Sequence, residues 1–211
     1  MNKLLIATTN PGKLAEIKRF LSDLPIELVG LKDAGITESP EETGISFEEN
    51  AILKAKFYAE KSRLPTLADD GGLEIDALNG EPGVKSHRWV HGDKENTDEE
   101  LIRYTMDRMK DIPDDNRGAQ LRLVLALVMP DSEVFTSSEK VRGIIPQKPS
   151  DVRHEGFPYR SLLFLSEINK FYNHDELTAT ETETYNHRKK ALDILKPIIR
   201  QKLLTKDVIP A

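Results

Sequence analysis

Cysteine is absent from the 211 residues, which removes disulfides, thiol nucleophiles and thiolate-bound metals together. Any metal must therefore be held by oxygen or imidazole. There is no apolar run of the roughly 18 residues that a membrane helix requires. The opening MNKLLIATTN also has too short an apolar core for a signal peptide. A cytoplasmic protein with no membrane partner is expected. Excess positive charge is missing too: 30 Lys and Arg stand against 36 Asp and Glu, a net −6, which argues against a surface that coats nucleic acid. Repeats, low-complexity blocks and long linkers are likewise lacking, so one continuous fold over 1–211 is the simplest expectation. What remains, 38% hydrophobic and 31% charged with 12 Gly and 12 Pro, is the composition of a globular chain rather than a disordered one.

Lys3 to Thr8 (KLLIAT) is an apolar run of strand length that breaks at Asn10-Pro11-Gly12 into LAEIKRFL, whose Leu14, Ile17, Phe20 and Leu21 repeat at helical spacing. Ser46-Phe47-Glu48-Glu49 has the spacing of a capping box and opens a helix over 47–62 with Phe47, Ala51, Ala55 and Tyr58 on one face. Leu64 to Ala68 and Leu73 to Leu78 read as two strands joined by an acidic turn. Thr97 with Glu100 repeats the capping-box spacing before a helix over 98–110. Ala119 to Met129 suits a long strand, turned at Pro130-Asp131-Ser132 into an antiparallel partner over 134–145. A last helix is expected over 187–204, with Pro197 placed to kink or shift it. Helices between short strands plus a long hairpin make a mixed α/β protein.

Three stretches carry chemistry. In TTNPGK (8–13) a strand runs into a helix start, where backbone N–H groups and the positive end of the helix dipole favour an anion, and Lys13 adds a full charge. The alternative is an ordinary N-terminus, with Thr9 or Asn10 as cap and Pro11 at the first position. Glu41-Glu42-Thr43-Gly44 leads into the helix carrying Asn50 and Lys54, four apart and so on one polar face; a solvated surface is the alternative there. In PTLADDGGL (65–73) the adjacent Asp69 and Asp70 suit a hard divalent cation such as Mg²⁺, although Asp-Asp-Gly-Gly is also a strong turn former.

The three occur in order, and with a fourth they resemble a known family. TTNPGK, EETGISFEENAILKAK (41–56) and ADDGGLEIDALNGEPGVKSHRW (68–89) are similar to the inosine triphosphate pyrophosphatase family. That resemblance covers nearly the whole chain and is strongest over 3–90. It implies an enzyme that converts non-standard purine nucleoside triphosphates such as ITP, dITP and XTP to the monophosphate and pyrophosphate with Mg²⁺. The implied fold is an elongated mixed β-sheet with flanking helices in two lobes and a central nucleotide-binding cleft, commonly as a homodimer. Thr8, Asn10 and Lys13, helped by Lys54 and Asn50, would cradle the triphosphate. Glu41 and Asp70 would hold the metal, Asp70 would be the catalytic base, and Asp69 would support it. Arg88 matches an arginine of the family, Phe157 its base-stacking phenylalanine with Tyr159 beside it, and His187 and Arg188 its base-contacting pair.

The match weakens toward the C-terminus. Gly156-Phe157-Pro158-Tyr159-Arg160-Ser161 stands where the family has G-F-G-Y-D-P, so Arg160 reverses an expected charge. Thr182 and Asn186 replace a lysine and a serine before His187-Arg188, and Gly71 replaces a serine after the acidic pair. The phosphate side is intact while the base side is altered, which implies shifted base choice. Two rivals stand beside this: a nucleotide-binding homologue with weak catalysis, and a related pyrophosphatase acting on a modified pyrimidine nucleotide.

Overall fold

The computed structural model describes residues 2–92 and 94–204. Seven strands form one sheet in the order β2-β1-β3-β4-β5-β6-β7. They are β1 (Lys3–Ala7), β2 (Glu27–Gly30), β3 (Thr66–Ile75), β4 (Gly118–Val128), β5 (Val134–Ile144), β6 (Phe164–Leu165) and β7 (Lys170–Phe171). The helices are α1 (Pro11–Phe20), α2 (Phe47–Ser62), α3 (Asp98–Arg108), α4 (Ala179–Tyr185) and α5 (His187–Leu204). The expected helices fall at the expected places, and α5 runs on through Pro197. The two short strands β6 and β7, the helix α4 and the strand β2 are additions to the sequence reading. α4 does carry a full capping box, Thr178 with Glu181, as does α3 with Thr97 and Glu100. At α2 the box is only half made. Ser46 Oγ accepts from the Glu49 N–H, but the Glu49 carboxylate accepts from the Ile45 N–H, one residue early. No described helix is long and apolar enough to cross a membrane.

The chain divides into two compact units. One falls within residues 1–70, 124–139 and 188–211, the other within 71–123 and 140–187. In the first unit β1 pairs in parallel with β2 and with β3, α1 and α2 being the crossovers. Leu4, Leu5, Ile6, Leu67, Ala51, Ala55, Leu192, Leu195 and Ile199 are buried there, the continuous apolar runs that a parallel sheet covered by helices demands. The register matters for function: Ala7 at the end of β1 lies opposite Ala68. Asp69 and Asp70 therefore continue past the carboxyl end of β1, where an open parallel sheet presents its ligand-binding groups.

The second unit has its own core, built from Leu73, Ile75, Leu101, Met109, Leu162, Leu163, Tyr159 and Tyr172 with others. Within it the buried Arg117 guanidinium donates to the carbonyls of Met109, Ile112, Ile145 and Pro146 at 2.6–3.2 Å, tying the segment after α3 to the end of β5.

The acidic turn is overturned. β3 runs from Thr66 to Ile75 without a break, so Asp69, Asp70, Gly71 and Gly72 are strand residues, and the second expected strand ends at Ile75. The glycines answer a different need, which is close approach. A Cβ on Gly71 would sit 2.5 Å from the Arg122 carbonyl, and one on Gly72 would sit 1.9 Å from Ser86 Oγ and 2.8 Å from the Gly83 carbonyl. Ser86 cannot swing aside cheaply, since its hydroxyl donates to Gly83 O and accepts from Leu73 N–H. Gly72→Ala is expected to cost about 1–3 kcal/mol by overpacking. A thermal melt checks this: a Tm equal to that of the unsubstituted protein rejects the packing account.

Candidate active site

Local folding sets the first side chain. Asn10 caps α1, its Oδ1 accepting from the Lys13 N–H at 3.1 Å, and Pro11 opens the helix. Thr8 Oγ1 accepts from the Asn10 N–H at 3.2 Å. The ordinary N-terminus thus exists, and it has a chemical consequence. Once the cap is made, Lys13 projects from the first turn and its Nζ lies 3.0 Å from Asp69 Oδ2. One helical turn on, Glu16 is buried and accepts from Arg188 Nη1 at 2.5 Å, while Arg188 Nη2 donates to Asp69 Oδ2 at 3.0 Å. Lys13, Glu16, Asp69 and Arg188 form an alternating network almost sealed from water.

Asp70 belongs to a second network on α2. Lys54 Nζ donates to Asp70 Oδ1 at 2.7 Å and reaches Glu42 Oε1 at 2.9 Å. Asn50, buried to 1% exposure, donates from Nδ2 to Asp70 Oδ2 at 3.4 Å and accepts from the Gly44 N–H at 2.7 Å. Asn50 and Lys54 are thus not a solvated face. Of the two adjacent glutamates, Glu41 is exposed and Glu42 is the one brought to Lys54. In an extended loop alternate residues face opposite ways, so of two adjacent glutamates only one can turn inward.

Environment separates the two aspartates. Burial by itself would raise Asp69, but Lys13, Arg188 and Lys54 hold its carboxyl far below the usual carboxylate range. Burial also pushes Asp70 up, and there Lys54 only partly offsets it, with Glu42 adding to the rise. Burial works against the Lys54 charge, yet Asp70, Glu42 and Asp69 together hold it above its ordinary value. Asp69 is therefore locked as an anion, whereas Asp70 is the carboxylate with the higher proton affinity. That division of roles is what acid–base chemistry at neighbouring carboxylates requires.

Thr8, Asn10, Lys13, Asn50, Lys54, Asp69, Asp70 and Arg188 all lie in the first unit, with Glu16 and Glu42 as members that the motifs did not single out. Glu16 was signalled only by its position one helical turn after Lys13. Gly71, Arg88, Phe157, Tyr159 and His187 lie in the second unit. Arg88 is half-buried in a turn, its N–H on the Lys85 carbonyl. Tyr159 is core rather than a stacking platform: it is buried and its hydroxyl donates to the Ser86 carbonyl at 2.5 Å. The Phe157 ring is covered by the buried Arg160 guanidinium at 4.0 Å. His187 is buried with Nδ1 2.8 Å from the Tyr172 hydroxyl. Both terminal nitrogens of Arg188 donate to carboxylates, Glu16 and Asp69, so in this structure it braces the acidic site.

Residues 4–198 match the model of the Ham1 family. A dITP/XTP pyrophosphatase of Corynebacterium efficiens is 39% identical over 94% of this chain and 98% of its own. One of Streptomyces coelicolor is 37% identical over 96% and 100%. Among solved structures, a HAM1 protein from Coxiella burnetii superposes with a TM-score of 0.81 at 31% identity, covering 95% of this chain and all of its own.

Proposed function

Because the chain belongs to the Ham1 family, we propose that it hydrolyses non-standard purine nucleoside triphosphates of the dITP and XTP kind to the monophosphate and pyrophosphate. The observation that carries this reading is Asp70, a buried carboxylate raised in proton affinity and held between Lys54 and Asn50 beside the anionic Asp69. A general base needs an ionised carboxylate held in a fixed direction, and each oxygen of Asp70 has a side chain of α2 to hold it. In the proposed reaction the oxygen of a water bonds to the α-phosphorus as the bridge to the β-phosphate breaks. Pyrophosphate leaves with the bonding pair, and Asp70 takes the water's proton.

A triphosphate needs cations around it before an incoming oxygen can approach. Lys13 and Lys54, on the first turn of α1 and on α2, would supply them, and the turn from Thr8 to Lys13 adds backbone donors at a helix start. When Lys13 turns to phosphate, Asp69 keeps Arg188 as its counter-charge, so the site does not trade one buried ion for another.

The side chains fit a hard divalent cation such as Mg²⁺. Among the described residues no group of three or more His, Asp or Glu is arranged to hold a metal, but Asp70 and Glu42 meet at one Lys54 ammonium. Mg²⁺ asks for few protein oxygens, completing its shell with water and phosphate. Asp70 and Glu42 would hold it, with Glu41 one residue away, and when bound it would supply charge neutralisation at the phosphates. A homodimer in the cytoplasm is the proposed working form, which light scattering checks by a mass twice that of one chain.

Pyrophosphate release from dITP, XTP, ITP, the standard purine triphosphates and pyrimidine triphosphates with Mg²⁺ tests the reading. Turnover of the deaminated purines well above the standard ones is expected. No turnover of any nucleotide above an Asp70→Asn control would overturn it. Pyrimidines are included because Arg160, over the Phe157 ring, places a positive charge where the resemblance has an aspartate, which favours altered base choice as a second reading.

A further inference from the structure

Sequence logic placed Asn50 among substrate-binding groups, but its atoms are arranged for another task. A buried amide must satisfy one acceptor and one two-proton donor, and which end faces which partner decides its role. Asn50 Oδ1 accepts from the Gly44 N–H at 2.7 Å. A backbone N–H can only donate, so this contact fixes the amide's orientation and turns Nδ2 toward Asp70 Oδ2, 3.4 Å away. The loop is moulded to the amide. A Cβ on Gly44 would lie 2.5 Å from Asn50 Oδ1, 2.8 Å from Glu49 Cβ and 2.9 Å from Asn50 N, so residue 44 can approach this closely only without a side chain.

Lys54, one helical turn further along α2, makes the same kind of span. It holds Asp70 Oδ1 with one proton and Glu42 Oε1 with another. Each oxygen of Asp70 is thus met by a different side chain of α2, and each of those side chains also ties down the 42–44 loop. Lysine alone leaves a carboxylate free to rotate about Cβ–Cγ, because a flexible ammonium follows either oxygen. A second contact from a rigid, buried amide removes that freedom.

We infer that Asn50 is a positioning residue for the hydrolytic reaction, setting the rotation of the Asp70 carboxylate and locking the Glu42 loop to it through Gly44. This rests on Asp70 being the base in the reaction proposed above. Its consequence is a split in kinetics. A carboxylate turned away from its working direction still allows the triphosphate to bind, while a misplacement of about 1 Å is worth on the order of a hundredfold in rate.

The test uses Asn50→Ala and the isosteric Asn50→Asp, which keeps the acceptor for Gly44 but sets an acceptor against Asp70. Both are expected to lower kcat about a hundredfold with KM for the triphosphate within threefold of the unsubstituted enzyme. A rise in KM with kcat unchanged assigns Asn50 to substrate contact and overturns the inference, as does no change in either constant. Asn50→Asp, preserving shape, serves if Asn50→Ala does not fold. Crystal structures of the variants give a readout that does not depend on turnover: the Asp70 carboxylate is expected rotated and residues 42–44 displaced. An Asp70 in its original rotamer overturns the inference even if the unsubstituted protein hydrolyses none of the nucleotides offered, an outcome that by itself would sink the proposed function instead.

Discussion

Asp70→Asn leaves the protein folded, with a Tm unchanged or raised, and lowers pyrophosphate release by about 10²–10⁴-fold, the usual contribution of a general base. The two halves of this result have one cause. Asp70 is buried, and burial lifts its carboxyl above the ordinary value despite the Lys54 ammonium at 2.7 Å. A group whose folded pKa is raised binds its proton more tightly in the folded state. Ionising it therefore costs stability, a cost absent below the unfolded value near 3.8 and growing as pH rises through the folded value. Asparagine has nearly the same shape and no charge to bury, and Lys54 keeps Glu42 at 2.9 Å. The gain of the variant in Tm is accordingly expected at pH 7 and expected to shrink as the pH is lowered toward 4. Activity within tenfold of the unsubstituted enzyme removes Asp70 from the role of base. A fall in Tm at pH 7 would mean that the Lys54–Asp70 pair is a net support of the fold, and that the site stores no such cost.

Arg188→Met has the opposite signature, a large loss of stability. The guanidinium is 5% exposed and bonds Glu16 and Asp69, and its own charge is held on, against burial, by those two carboxylates. Removing one member of a buried ion network strands the charges left behind, at about 3–5 kcal/mol, or on the order of 2–4 °C in Tm per kcal/mol for a chain of this size. The pH dependence gives the sign. Asp69 has a depressed pKa, so its contribution is present above the unfolded value near 3.8 and is lost only as pH falls through the folded one. The deficit of Arg188→Met is therefore largest at pH 7 and narrows in acid, as the Asp69 contribution is lost. Adding Glu16→Gln is expected to recover part of the loss by removing one stranded charge. Melting curves at pH 7 and pH 4 check all three statements. A Tm within about 2 °C of the unsubstituted protein at pH 7, coupled with lost discrimination among bases, would return Arg188 to the base-contacting role that the family resemblance implied.

How far the site could be read from the residues alone differs from one member to the next. Asn10 and Pro11 are local: a cap and a first-turn proline follow from the chemistry of a helix start, and they place Lys13. α2, bounded as its pattern predicts, carries Asn50 and Lys54 one turn apart wherever it packs. Glu42 against Glu41 could not be chosen, since adjacent residues of a loop share composition and differ only in which way the backbone turns them. Glu16 lay in plain view in α1, yet its meaning depends on Arg188, 172 residues later in the chain. The acidic pair shows the limit most sharply. Asp-Asp-Gly-Gly has the composition of a turn, and local preference alone selects one, but β3 continues through it because neighbouring segments come so close that only glycine fits.

The sequence by itself therefore determined α1, α2, α3 and α5, the caps of α1 and α3 and the α/β class, because these rest on periodicity and on chemistry within a few residues. Tertiary structure decided which carboxylate meets which cation, that Asp69 is locked as an anion while Asp70 is raised, and that Arg188 bonds Glu16 and Asp69 while the Tyr159 hydroxyl bonds Ser86. Those outcomes depend on burial and on distances between groups far apart in the chain, and Coulomb and desolvation energies act through space rather than along the sequence.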